Sequence, residues 1–185
     1  QDGFEFAGFP CTVETGTLAT ADYSLHGFTD RIGIERKSMH DLIHCLGPDR
    51  ERFTRELQRL RGFDAACIIV DQPQSVLRLG HYRSAMPAES AWQSVIALSM
   101  RYRIPFWFCD SRADAEAVTF NFLRHFARDR WRELQALRIP ARIAPAATER
   151  RGPGAGVAGR PDAPQRRTGA KGAPHPTAIS TGTRP

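Results

Sequence analysis

The sequence predicts an α/β fold in which a mixed central sheet is flanked by helices. Three observations carry that prediction. Strand-like runs over residues 9–14, 21–25 and 31–37 open the chain in close succession, punctuated by Gly16, Gly27 and Gly33, as neighbouring strands joined by turns are. Ala65–Val70 and residues 105–109 are continuous apolar runs of strand length, the pattern of strands covered on both faces. Segments of helical period alternate with those two runs, and right-handed crossovers then set helices on both sides of the sheet.

The remaining elements follow in order. Ser38 is placed to cap a short helix over Met39–Leu46 that Gly47 closes. Pro48 suits the first turn of a longer helix on which Phe53, Leu57 and Leu60 recur at i, i+4 and i+7, with Gly62 at its end. A helix over Ala88–Tyr102 aligns Trp92, Val95, Ile96 and Ser99 along one side. Residues 112–137 carry a long helical pattern with Val118, Phe122, Leu123 and Phe126 as apolar positions.

Composition bounds the rest. A chain of 185 residues that is 41% apolar buries one sizeable core. Its net charge of +6 is confined to one end. Residues 1–140 hold 17 Arg and one Lys against 18 acids, whereas residues 141–185 hold eight basic residues against Glu149 and Asp162. That end is also dense in Pro, Gly and Ala and lacks the apolar surface to offset its ordering entropy. We therefore divide the chain into a folded part, 1–140, and a disordered basic tail, 141–185. The tail reads either as a non-specific attractor of phosphate backbones or as a solvated terminus. Cys11, Cys45, Cys67 and Cys109 have no metal-knuckle spacing and read as reduced residues of a cytoplasmic protein. No apolar stretch approaches the ~20 residues of a membrane span, so no membrane partner is expected.

The one lysine of residues 1–140 is Lys37, in Ile34-Glu35-Arg36-Lys37-Ser38. Ammonium is a compact point charge where guanidinium is a delocalised fork, so a chain that otherwise writes positive charge as Arg has kept a different chemistry here. On an extended strand Glu35 and Lys37 share a face and Arg36 takes the other. Asp22 lies upstream in Ala21-Asp22-Tyr23. Taken alone, Glu-x-Lys also describes a surface pair. There is no G-x-S-x-G elbow and no Gly-rich phosphate loop followed by Lys, which removes the hydrolase and nucleotide-binder alternatives.

The run Ile34-Glu35-Arg36-Lys37-Ser38-Met39-His40-Asp41-Leu42 after Ala21-Asp22-Tyr23 resembles the nuclease motif of the XPF/Mus (ERCC4-domain) family of structure-specific endonucleases, G-D-x…V-E-R-K-S-x-x-D-L. Arg52-Phe53-Thr54-Arg55-Glu56 resembles its R-L-x-x-Q helix, and Arg101-Tyr102-Arg103-Ile104-Pro105 its R-Y-x-x-P segment. The resemblance spans roughly residues 4–128. Ala21 stands for the family glycine and Glu56 for its glutamine, and the family's opening D-x-R-E strand is not in the chain. The chain thus reads as N-terminally truncated, beginning one strand late, and residues after 140 show no helix-hairpin-helix pattern.

The resemblance implies a restriction-endonuclease-like sheet and a divalent-metal-dependent endodeoxyribonuclease acting on DNA, at branches or flaps in repair or recombination. Asp22 and Glu35 are expected to bind Mg²⁺ or Mn²⁺ with the Arg36 carbonyl as a third oxygen, hard donors that suit such a cation. Both carboxylates are expected on one sheet face. Lys37 is expected to hold the attacking water and stabilise the anionic transition state. Asp41 is expected either to join the metal shell or orient Lys37, or to be a first-turn acid favoured by the helix dipole. Arg36 is expected to contact DNA or pair with an acid in the core, and Arg52 to clamp a phosphate or sit on a solvated, ion-paired face. His26, His40, His44 and His81 read as surface or capping residues. The family's nuclease domains pair through later helices, so a homodimer or paralogue partner is expected on the 92–102 face. The expected compartment is a bacterial or phage cytoplasm or the nucleoid. The alternative is a non-catalytic DNA-binding or scaffolding partner on the same fold.

Overall fold

A computed structural model describes residues 2–137 and 177–182. These residues form one mixed sheet from strands β1 (Cys11–Gly16), β2 (Tyr23–Leu25), β3 (Ile32–Lys37), β4 (Ala65–Val70), β5 (Phe106–Phe108) and β6 (Thr177–Gly182), in the order β1-β6-β2-β3-β4-β5. Strands β2 and β3 are antiparallel, while β3, β4 and β5 run parallel. The helices are α1 (Met39–Leu46), α2 (Arg50–Leu60), α3 (Gln74–Arg78), α4 (Ala88–Tyr102) and α5 (Arg112–Ala136). The expected mixed sheet with helices on both sides is what the chain builds.

Each sheet face carries its own core. One is formed by Met39, Leu42, Phe53, Leu57, Leu60, Ile68, Val70, Leu77, Val95 and Leu98, and joins β4 to α1, α2, α3 and α4. The other gathers Tyr23, Leu25, Ile32, Ile34, Cys67, Ile69, Leu123 and Phe126 under α5, and it is extended by Phe4 and Phe6 of the opening segment. Phe4 stacks on Tyr23 with ring centres 5.0 Å apart, and its N–H donates to the Tyr23 hydroxyl at 2.9 Å. Alternation along β3 sends Ile32 and Ile34 into the α5 core and turns Glu35 and Lys37 toward α2.

Close approach explains two backbone positions. Gly33 is tightly enclosed: a Cβ there would stand 3.0 Å from the Ala21, Leu60 and Phe63 side chains, which would have to give way. Ala21, against it, adopts φ 74°, a left-handed conformation that costs an L-residue roughly 1–2 kcal/mol. That turn delivers Asp22 to the β3 backbone.

Several expectations are corrected. The buried stripe of α4 is Ala91, Val95, Leu98 and Tyr102, with Ile96 exposed, because the helix is rotated toward α1 and α3. Strand β5 is an edge strand with Trp107 exposed, where an apolar run suggested two covered faces. Helix α3 has no counterpart among the expected elements, being too short to show a period. The expected tail lies outside the described residues except for Thr177–Gly182. Those six residues form β6, which pairs parallel to β1 and antiparallel to β2, satisfying edge backbone groups of both strands. All four cysteines are free thiols. No helix among the described residues is long and apolar enough to cross a membrane.

Candidate active site

The site is built where β3 ends. Lys37 Nζ lies 2.5 Å from Glu35 Oε1 and 3.5 Å from Glu56 Oε2, and 5.5 Å from the centre of the Phe53 ring. Glu35, Lys37 and Glu56 are 1%, 6% and 4% exposed, so an ammonium and two carboxylates are buried together between the sheet and α2. Burial works against the Lys37 charge, but Glu35 and then Glu56 outweigh it and hold the ammonium above its ordinary pKa. Lys37 is charged throughout the neutral range.

Asp22 arrives from the neighbouring strand. Its N–H donates to the Ile34 carbonyl at 2.9 Å, and its Oδ2 accepts the Arg36 N–H at 2.8 Å. Tyr23 is the register partner of Ile34, and both face the α5 core. Asp22 lies one residue outside that pair, at the turn that Ala21 makes. The Arg36 carbonyl follows its N–H toward the Asp22 side, because a strand residue presents both groups to one neighbour. The Asp22 and Glu35 carboxylates and the Arg36 carbonyl are hard oxygen donors, the kind that Mg²⁺ or Mn²⁺ takes. Among the described residues no cluster of three or more His, Cys, Asp or Glu side chains has metal-site spacing.

Three further expected residues have partners of their own. Asp41 is a first-turn acid of α1, bonded to the N-cap: Ser38 Oγ donates to its Oδ2 at 2.8 Å and accepts its N–H at 3.1 Å. Arg36 takes the second of its two expected roles, pairing with a largely buried acid. Its Nη2 and Nε donate to Asp71 Oδ2 at 2.7 and 3.2 Å, its Nη1 donates to the Asp2 carbonyl at 2.8 Å, and its guanidinium lies 4.6 Å over the Phe4 ring. Arg52 stays exposed on α2, donating to Asp49 at 2.8 Å. Of the histidines, His40 and His44 face Asp41 and Asp49 at 3.8 and 3.4 Å, and His26 faces Glu14 at 3.1 Å.

Sequence reasoning passed over Glu56 as a member of the site. The signal was present: Glu56 sits three residues after Phe53 and four before Leu60, on the buried stripe of α2, where an acid needs a partner.

The ERCC4 domain model matches residues 1–122. The chain belongs to the ERCC4 domain family. A similar solved structure is XPF from Aeropyrum pernix, 26% identical with a TM-score of 0.50. The similarity covers 65% of this chain and 57% of that one. No curated protein matches. The fold is thus that of an XPF-type nuclease domain.

Proposed function

We propose that the protein is a divalent-metal-dependent endodeoxyribonuclease, with branched or flapped DNA as its substrate class. The observation that carries this reading is the buried Lys37 ammonium on Glu35, with Asp22 bound to the backbone of the Arg36 between them. Asp22, Glu35 and the Arg36 carbonyl are the residues that would hold Mg²⁺ or Mn²⁺. Such an ion, when bound, neutralises phosphate charge, acidifies a water and assists the leaving oxygen. Lys37, charged and fixed, orients the attacking water and faces the negative charge that grows on the phosphoryl oxygens. Asp41 acts at one remove, by fixing the start of α1 directly after Lys37. Arg52 and the basic residues of 141–185 supply phosphate contacts that position DNA without reading sequence.

Cleavage of nicked, flapped and branched duplexes in Mg²⁺, Mn²⁺ and chelator tests this. Lys37→Ala is expected to leave only residual cleavage while DNA binding stays within a few-fold, because the ammonium acts in the transition state. Equal cleavage by wild type and Lys37→Ala refutes the assignment. The scaffold alternative keeps one observation in its favour. Glu35 is almost wholly buried and already paired, as a structural ion pair is. Intact DNA binding with silent cleavage under all metals selects it. A second subunit, identical or paralogous, fits α4 and the β5 edge, where Ile96, Met100 and Trp107 are exposed. Met100→Glu is expected to lower the mass measured by light scattering if that face pairs.

A further inference from the structure

Glu56 has a position that packing alone does not explain. It is a charged side chain on the buried stripe of α2, beside Phe53, Leu57 and Leu60. Its Oε2 reaches the Lys37 ammonium at 3.5 Å. Glu35 and Glu56 both approach that one nitrogen, so their nearest oxygens are at most about 6 Å apart, the longest separation that 2.5 Å and 3.5 Å allow. A lysine held by Glu35 alone pivots about a single partner, on a stem with four rotatable bonds. Glu56 adds a second partner from another secondary-structure element, and the Phe53 ring closes a third side at 5.5 Å. Held from three sides, the ammonium is fixed.

We propose that Glu56 is a positioning residue that anchors the Lys37 ammonium from α2, so that Lys37 keeps its place when Glu35 is engaged by a cation. This rests on the nuclease reading only for its catalytic consequence; the Glu56–Lys37 coupling itself stands on the geometry. A neutral amide of the same shape keeps an acceptor near Lys37 but removes the counter-charge. Net negative charge in the pocket falls by one, and the ammonium is left on the Glu35 pivot.

The test uses the full chain and the isosteric variant Glu56→Gln in wild-type and Lys37→Ala backgrounds. Expected is a fall in kcat of roughly 10- to 100-fold, the size of effect that misplacing a reacting group by about 1 Å has, with KM nearly unchanged. In the Lys37→Ala background Glu56→Gln is expected to add nothing, since residues acting through one group are non-additive. A drop of similar size in both backgrounds overturns the proposal, because Glu56 would then be merely structural. The second readout is independent of activity. The chain has only two lysines, Lys37 and Lys171, so ¹⁵N-lysine labelling gives two side-chain signals, which Lys171→Arg assigns. Glu56→Gln is expected to shift or broaden the Lys37 signal. An unmoved Lys37 signal in a folded variant overturns the proposal. A moved signal in a protein that cuts no DNA supports the anchoring and refutes the nuclease reading instead.

Discussion

Arg36 offers a clean separation of fold from DNA contact, because the sequence places it inside the nuclease motif and the structure spends it on packing. Consider Arg36→Ala. The Arg36 and Asp71 side chains are 8% and 12% exposed, and two guanidinium nitrogens meet the same carboxylate oxygen. Removing one member of so buried a pair leaves the other charge unpaired, a loss of about 3–5 kcal/mol. The stacking on Phe4 at 4.6 Å adds roughly 0.5–1 kcal/mol. The bond to the Asp2 carbonyl helps tie the opening segment across the end of β3. Against a domain stability of about 5–15 kcal/mol, the expected loss of about 4 kcal/mol corresponds to a fall in Tm on the order of 10 °C. Urea denaturation of wild type, Arg36→Ala, Asp71→Ala and the double variant measures it. The double variant is expected to lose much less than the sum of the two single losses, with a coupling of about 2–3 kcal/mol for residues that touch. DNA affinity, measured where each variant is still folded, is expected to change less than threefold. A stability loss below ~1 kcal/mol, with a selective loss of DNA affinity, refutes the reasoning and returns Arg36 to the surface.

Stability is expected to be flat near neutrality and to fall above about pH 9, measured by melts across pH. Burial pushes the Cys109 thiol from 9.0 to about 11 and raises Cys67 further, Tyr23 is raised from 10.0, and Lys37 is held above 10.5. Each of these groups binds its proton more tightly when folded, so stability is full below the unfolded pKa and is lost as pH rises through the folded one. Ser38→Ala removes the reciprocal cap with Asp41 and is expected to cost about 1 kcal/mol in denaturant titrations. Gly33→Ala forces a methyl against Ala21, Leu60 and Phe63 at 3.0 Å, and is expected to cost about 1–3 kcal/mol. Replacing Arg150, Arg151, Arg166 and Arg167 by Gln leaves β6 untouched. It is expected to flatten the slope of log affinity against log salt by up to ~0.9 for each phosphate no longer neutralised, with the cleavage pattern unchanged; an altered pattern shows that the tail reads structure.

Local chemistry determined much of this protein from sequence alone. Ser38, Gly47 and the Phe53, Leu57 and Leu60 period mark α1 and α2 because capping and helical spacing act over a few residues. The Glu35-Arg36-Lys37 alternation assigns faces because a strand's side chains have period two. The nuclease resemblance was legible for the same reason, since its motif lies in one strand and the helix start that follows. Tertiary structure decided what depends on distant partners. Arg36 is tied into the fold because Asp71 and the opening segment's Asp2 and Phe4 come to it from two other places in the chain. Lys37 has two carboxylates only because α2 turns Glu56 inward. The exposed side of α4 and the edge position of β5 depend on which neighbours the sheet order supplies, and apolar spacing along one segment carries no information about that order.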